Sequence, residues 1–257
     1  MSQDTPLGRF VWHELMTTDP AAAIKFYPTF MGWSTAPWED GSYTMWMQGP
    51  VPVGGVMLMP EEVKASGAPP HWLTYVSTPD CDASAAKVGR LGGSIYKEPW
   101  DIPNIGRIAV AADPQGAVFC LYQPADTAGD LDAPPTPGQY SWHELSTTDP
   151  AGAIAFYQAL LGWEKMEEFD MGEMGIYHLL GYGGVQRIGL MAKPPEVPVS
   201  NWLPYAMVPD TDAAFAIATA HGATPLMPPM EVPGGDRVSV MMDPQGAVFA
   251  VHALKKP

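Results

Sequence analysis

The apolar positions of this chain run in strand period, then helix period, then strand period again, and the cycle occurs four times. From Arg9 to Thr17 the alternation predicts a strand with Trp12, Glu14 and Met16 on one face and Val11, His13 and Leu15 on the other. Asp19 then stands as an N-cap before Pro20, and Ile24, Phe26, Tyr27 and Phe30 form the apolar stripe of a helix that Gly32 stops. Two strand runs follow, Ser42–Gln48 and Val53–Met59. The second cycle opens with a strand over His71–Ser77 and a helix near Asp82–Leu91. It closes in a hairpin, Gly106–Ala112 and Ala117–Gln123, whose Asp-Pro-Gln-Gly turn places Pro where φ is preset and Gly where φ is positive.

The remaining two cycles are a repeat of the first two. Phe10 to Trp33 returns as Tyr140 to Trp163 with 15 of 24 positions identical at an offset of 130. The same offset carries Trp72 onto Trp202, Asp80 and Asp82 onto Asp210 and Asp212, Arg107 onto Arg237, and DPQGAVF at Asp113 onto Asp243. This predicts two homologous domains, residues 1–123 and 140–257. The stretch 124–139, rich in Pro, Gly, Ala and Asp without apolar period, reads as the linker.

Composition supports packed domains: of 257 residues, 46% are hydrophobic and 16% charged. The net charge of -15 argues against nucleic acid and against anionic membrane, both of which draw affinity from basic patches. No apolar run reaches the ~20 residues of a spanning helix and the N-terminus lacks a signal pattern, so the expected location is cytoplasmic. Cys81 and Cys120 form no CxxC pair and read as buried free thiols. No P-loop, GxGxxG or GxSxG occurs.

The segment WHELxTTDPAxAIxFYxxxxGW in both halves, the Trp-led strand with its D-x-D, and the closing DPQGAVF resemble the vicinal oxygen chelate superfamily of glyoxalase I, bleomycin-resistance proteins and extradiol dioxygenases. The closer likeness is to a tandem two-domain, glyoxalase-like branch. The resemblance implies an α+β fold in which each domain pairs two βαβββ modules into a partly open barrel, helices outside and a ligand cavity inside. It also implies a small-molecule ligand and intrachain pairing of the two domains, and leaves a homodimer open.

Metal-dependent members of that superfamily hold one divalent ion with a His or Gln on the first strand and a Glu near the end of each module. Here the first-strand position is Trp12 and Trp142, the second-module strand offers about Thr74 and Pro204, and the closing positions are Met57 and Met59, Leu190 and Met191, Cys120 and Ala250. Indole and thioether are poor ligands for a hard divalent ion. The expectation is therefore no cofactor and no metal site of the usual kind, with a rearranged divalent site at Glu14 or Glu144 and His71 left open.

Glu14 and Glu144 share the tryptophan face, which in this fold is the concave one. A carboxylate among Trp, Met and Tyr would be desolvated and drawn toward the range of a general base or acid. The plainer alternative is a structural carboxylate satisfied by a neighbouring Arg or a backbone N–H, with Arg107 and Arg237, repeated at matching places, as the obvious partners. His13 and His143, on the opposite face, read as core histidines. The unrepeated His71, His178 and His252 fall opposite Asn201, Gln48 and Tyr122 at the respective offset, so one domain could hold the working site. The candidate site is thus Glu14 and Glu144 as catalytic carboxylates, with Trp12, Trp142, Tyr122, His252, Met57 and Met59 around the ligand. Two functions fit: a metal-independent lyase, isomerase or hydroxylase-like enzyme on a small oxygenated hydrophobic molecule, or a bleomycin-resistance-like protein that sequesters an aromatic drug or metabolite.

Overall fold

A computed structural model describes residues 7–38, 41, 43–126 and 132–256 of the protein. The predicted strand start at Ser42 and linker residues 127–131 lie outside the described residues. The first half contains β1 (Phe10–Thr17), α1 (Pro20–Phe26), α2 (Pro28–Met31), β2 (Ser34–Pro37), β3 (Tyr43–Gln48), β4 (Val51–Leu58), α3 (Glu61–Ala65), β5 (His71–Ser77), α4 (Cys81–Arg90), β6 (Ser94–Ile102), β7 (Gly106–Ala112) and β8 (Val118–Pro124). The second half contains β9 (Tyr140–Thr147), α5 (Pro150–Leu161), β10 (Glu164–Asp170), β11 (Ile176–Tyr182), β12 (Val185–Ala192), β13 (Asn201–Met207), α6 (Thr211–Ala220), β14 (Thr224–Glu231), β15 (Arg237–Met242) and β16 (Val248–Ala253).

Each half makes one eight-stranded mixed sheet, in the orders β2-β3-β4-β1-β5-β8-β7-β6 and β10-β11-β12-β9-β13-β16-β15-β14. The first and last strands of every module pair in parallel, as in β1 with β4 and β5 with β8, and the hairpins between them are antiparallel. Neither sheet closes, which is the partly open βαβββ pairing the sequence predicts. All four modules enter their first helix through an aspartate: Asp19, Asp80, Asp149 and Asp210 each accept the backbone N–H three residues on, at 2.9–3.0 Å.

One departure from the repeat has a simple cause. The helix after β9 runs unbroken through α5, whereas its counterpart splits into α1 and α2 at Tyr27. Pro28 has no N–H to continue the helical ladder, and the matching position in α5 is Gln158.

Packing gathers the modules into two compact units. The first comprises residues 1–11, 74–133 and 143–202, and the second comprises residues 12–73, 134–142 and 203–257. Each unit therefore takes one module from each half, so the halves pair within the chain. The repeated motifs make the joints. In the second unit, Asp243 of the closing turn accepts the Tyr27 hydroxyl at 2.9 Å, and Tyr27 accepts the Trp72 indole N–H at 3.2 Å. In the first unit, Asp113, Tyr157 and Trp202 repeat this at 3.1 and 2.9 Å. Trp163 and Trp33 reach across the same seam, donating to the carbonyls of Gly8 and Gly138 in their own units.

The histidines behind β1 and β9 belong to these cores. His143 stacks on Phe10 in the first unit with ring centroids 3.5 Å apart, and His13 stacks on Tyr140 in the second at 3.6 Å. Burial drives the His13 imidazole down to about 3, so it sits neutral in the core. Among the described residues no helix is long and apolar enough to cross a membrane.

Candidate functional site

The parallel ladder of β1 with β4 sets Glu14 beside Gly55 and Met16 beside Met57. The hairpin of β3 with β4 sets Met45 beside Gly55 and Tyr43 beside Met57. Neighbours across a sheet share a face, so Glu14, Met16, Met45, Met57 and Tyr43 form one patch on the side opposite Leu15 and the core. Two of the predicted ligand-binding residues, Trp12 and Met57, thus stand on the same face as the predicted carboxylate.

Tyr43 joins them. Its side chain lies over Gly55, where a Cβ would stand only 2.0 Å from the hydroxyl. From there the hydroxyl accepts the Trp12 indole N–H at 2.8 Å and hydrogen-bonds Glu14. The indole can only donate, so the single phenolic proton is directed to the Glu14 carboxylate. Burial first, then the Glu14 charge and the hydrogen bond to it, push the Tyr43 phenol far above its usual range, so it remains a neutral donor. Glu14 is itself buried, 7% exposed.

The first unit carries the counterpart. Glu144 lies beside Gly189 in the β9–β12 ladder and accepts the Tyr177 hydroxyl at 2.8 Å. Glu144 is half-buried, so the two pairs are chemically alike and differ in exposure.

The arginines expected as partners of the glutamates are engaged elsewhere. Arg107 makes a two-pronged contact with Asp82, at 2.7 and 2.9 Å, and reaches Asp101 at 3.1 Å. Arg237 grips Asp212 in the same way. The repeated D-x-D and Arg are therefore a surface clamp from helix to hairpin.

Of the other predicted residues, Trp142 lies two positions before Glu144 on β9 and is half-buried, and Met59 is buried with its N–H on the Thr17 carbonyl. The Tyr122 hydroxyl donates to the Ile105 carbonyl at 2.9 Å, and His252 lies between Ser141 and Asp236. A recess lined by Met31, Trp72, Tyr140 and Phe249 in the second unit is too narrow to admit even a water molecule, and none of the predicted site residues lines it.

Profiles of two related families cover both halves: the Glyoxalase/Bleomycin resistance protein/Dioxygenase superfamily matches residues 139–251, and the glyoxalase-like domain matches residues 12–122. The chain is 36% identical over 246 residues to CFP32 of Mycobacterium bovis, which bears the provisional name glyoxylase, covering 93% of this chain and 92% of that protein. It is 29% identical over 268 residues to the anthracycline biosynthesis protein DauV of Streptomyces sp. strain C5, covering 97% and 94%. In fold it resembles the Mn(II)-bound glyoxalase from Novosphingobium aromaticivorans, with a TM-score of 0.67 at 16% identity, covering 98% of this chain and 84% of that one. It likewise resembles the 2,3-dioxygenase LapB from Pseudomonas sp. KL28, with a TM-score of 0.68 at 13% identity, covering 98% and 94%.

The manganese in the Novosphingobium glyoxalase overturns the expectation that a chain of this kind has no cofactor: a protein of the same fold holds a metal. The described residues of this chain do not fit such an ion at the usual positions. The first-strand indole of Trp12 presents an N–H to Tyr43 and no lone pair, and the His71 Nδ1 lies 2.8 Å from the Pro69 carbonyl. No group of three His, Cys, Asp or Glu side chains converges among the described residues.

Proposed function

The chain belongs to the glyoxalase/bleomycin resistance protein/dioxygenase superfamily, and from that membership we propose that it is a lyase- or isomerase-type enzyme acting on a small, oxygenated, hydrophobic organic molecule. The observation that carries this reading is the buried Glu14 carboxylate, held by a tyrosine hydroxyl that an indole N–H fixes in turn. A fixed carboxylate on an apolar patch suits removal of a proton from a carbon next to a carbonyl. Trp12, Met16, Met45 and Met57 supply an adaptable surface for an aromatic or alicyclic body. Tyr43, a neutral donor whose one proton is on Glu14, orients the base. Glu144 with Tyr177 provides a second copy in the more exposed setting. The relationship to an anthracycline biosynthesis protein supports an oxygenated polycyclic substrate.

The deciding experiment incubates the full chain with a panel of hydroxyanthraquinones and hydroxyketones in D2O. Mass spectrometry reports deuterium entering carbon, and tryptophan quenching reports binding. Wild type is expected to exchange or convert at least one compound, and Glu14→Gln to bind it with similar affinity while exchange falls about a hundredfold. Binding without exchange or conversion in wild type would instead favour the sequestering function.

A further inference from the structure

Three side chains of the second unit form a hydrogen-bonded line that the repeat does not duplicate. Ser141 Oγ lies 2.8 Å from His252 Nδ1, and His252 Nε2 lies 3.1 Å from Asp236 Oδ2. At the offset of 130 the same positions in the first half hold Val11, Tyr122 and Gly106, so the trio belongs to one copy only.

The three residues come from separate elements that the sheet holds in place. Ser141 is the second residue of β9, His252 lies on β16, and Asp236 immediately precedes β15. Asp236 is anchored twice: its Oδ1 accepts the Lys255 N–H at 2.8 Å, and its carbonyl accepts the Val232 N–H at 2.9 Å. The backbone of His252 pairs with Met207 of β13 on one side and Val238 of β15 on the other. The His252 side chain is 13% exposed and that of Asp236 33%, while Ser141 is half-buried. The group is thus sheltered without being sealed.

The order of donors is fixed by chemistry. An ionised Asp236 can only accept, so it places the ring proton on Nε2. Nδ1 then presents its lone pair to the Ser141 hydroxyl at 2.8 Å, a shorter contact than that with the Tyr205 carbonyl, which the hydroxyl also reaches at 3.4 Å. A nucleophile facing a base whose far nitrogen is held by a carboxylate is the arrangement that activates serine for acyl transfer, here with the two ring nitrogens exchanged in role.

We propose that Ser141 is a nucleophile with His252 as its base and Asp236 as the positioning carboxylate, and that this trio hydrolyses esters of hydrophobic carboxylic acids. Ser141 Oγ bonds to the ester carbonyl carbon as its proton passes to His252 Nδ1. The carbon–alkoxide bond breaks, and the leaving oxygen takes that proton as the alcohol departs. Water then gives a proton to His252 and attacks the acyl-serine, releasing the acid as the proton returns to Ser141. Met207 and Val238, the cross-strand neighbours of His252, favour an apolar acyl group. This activity is independent of the Glu14–Tyr43 pair.

The test uses the full chain with p-nitrophenyl butyrate and with a fluorophosphonate probe located by peptide mass spectrometry. The expected result is a burst of about one p-nitrophenolate per chain, labelling at Ser141, and loss of both in Ser141→Ala, with the steady rate down about a hundredfold or more. Asp236→Asn is expected to lower kcat with little change in KM, as a positioning role requires. Labelling at another residue, absence of labelling, or an unchanged rate in Ser141→Ala overturns the proposal. Should Ser141→Ala fail to fold, Ser141→Cys decides. Its thiol is expected to react with iodoacetamide several-fold faster than in the Ser141→Cys, His252→Gln double variant, and equal rates overturn the proposal.

Discussion

The hydroxyl of Tyr43 occupies the space that a side chain on Gly55 would need: a Cβ there would meet Oη at 2.0 Å and Cζ at 2.2 Å. Gly55 is also the residue beside Glu14 in the β1–β4 ladder. The missing side chain is therefore what lets a phenol from the next strand reach over to the carboxylate.

Gly55→Ala should accordingly expel Tyr43 from its place and cost about 1–3 kcal/mol, the usual range for overpacking. In a Tyr43→Ala background the same substitution should cost much less, because the clash is with that side chain. A double-mutant cycle by urea denaturation reads the coupling directly. Equal costs in both backgrounds would show that the backbone, and not Tyr43, forbids a Cβ.

Trp12→Phe keeps an aromatic ring but removes the indole N–H that fixes the Tyr43 hydroxyl. A lost neutral hydrogen bond of this kind is worth about 1 kcal/mol. Stability should fall by about that amount, and tyrosine-sensitive ultraviolet spectra should report a changed environment for Tyr43. Tyr43→Phe should be at least as destabilising, since it strips a partner from both the indole and Glu14.

The part of this site that could be read along the chain was the part on β1 and β9. There the repeat keeps a constant offset of 130, and Trp12 with Glu14 and Trp142 with Glu144 stand out together. Tyr43 and Tyr177 were hidden because their strands are offset by 134: Gly55 and Gly189, which flank the two glutamates, carry the same shift. The second half has four more residues between the strands and has lost them again by Trp202, so no fixed offset aligns the tyrosines. The register of β4 and β12 restores the pairing. The arginines were misassigned for a related reason. Asp82 with Arg107 and Asp212 with Arg237 repeat as pairs 25 residues apart, and that shared spacing was the signal that they belong to each other. Strands, caps and the closing turns were legible because local chemistry fixes them, whereas the pairing of modules across the halves depends on contacts 44 to 216 residues apart, from Asp113 with Tyr157 to Tyr27 with Asp243.

His13 gives the protein an acid limit. Its imidazole is held near 3 by burial against an ordinary value of 6.5, so the unfolded chain binds a proton that the native one refuses. The stabilising difference is complete above about 6.5 and is lost as the pH falls toward 3. His13→Phe, which keeps a ring against Tyr140, should flatten this part of the profile. Urea midpoints of the two proteins between pH 4 and 7 make the comparison. A parallel profile for the variant would place the acid sensitivity elsewhere.

The closing aspartates act in the opposite direction. Burial raises the carboxyls of Asp113 and Asp243 above the usual value of 3.8, against the pull of the turn N–H groups and the tyrosine hydroxyls. A raised native value means that the folded protein binds the proton more tightly, so this contribution is full at low pH and fades as pH rises through the native value. Asp243→Asn keeps an oxygen for the Gln245 and Ala247 N–H groups, both at 2.9 Å, and removes the charge. It also turns an amide toward the Tyr27 hydroxyl, which can rotate to accept it. The stability of wild type relative to Asp243→Asn should therefore decline from pH 4 to 7. Tyr27→Phe offers no such relief: it leaves the Trp72 N–H and one Asp243 oxygen without that partner inside the core and should cost about 1–3 kcal/mol at any pH. If wild type instead gained on Asp243→Asn as pH rose, the hydrogen bonds to the carboxylate would outweigh its burial.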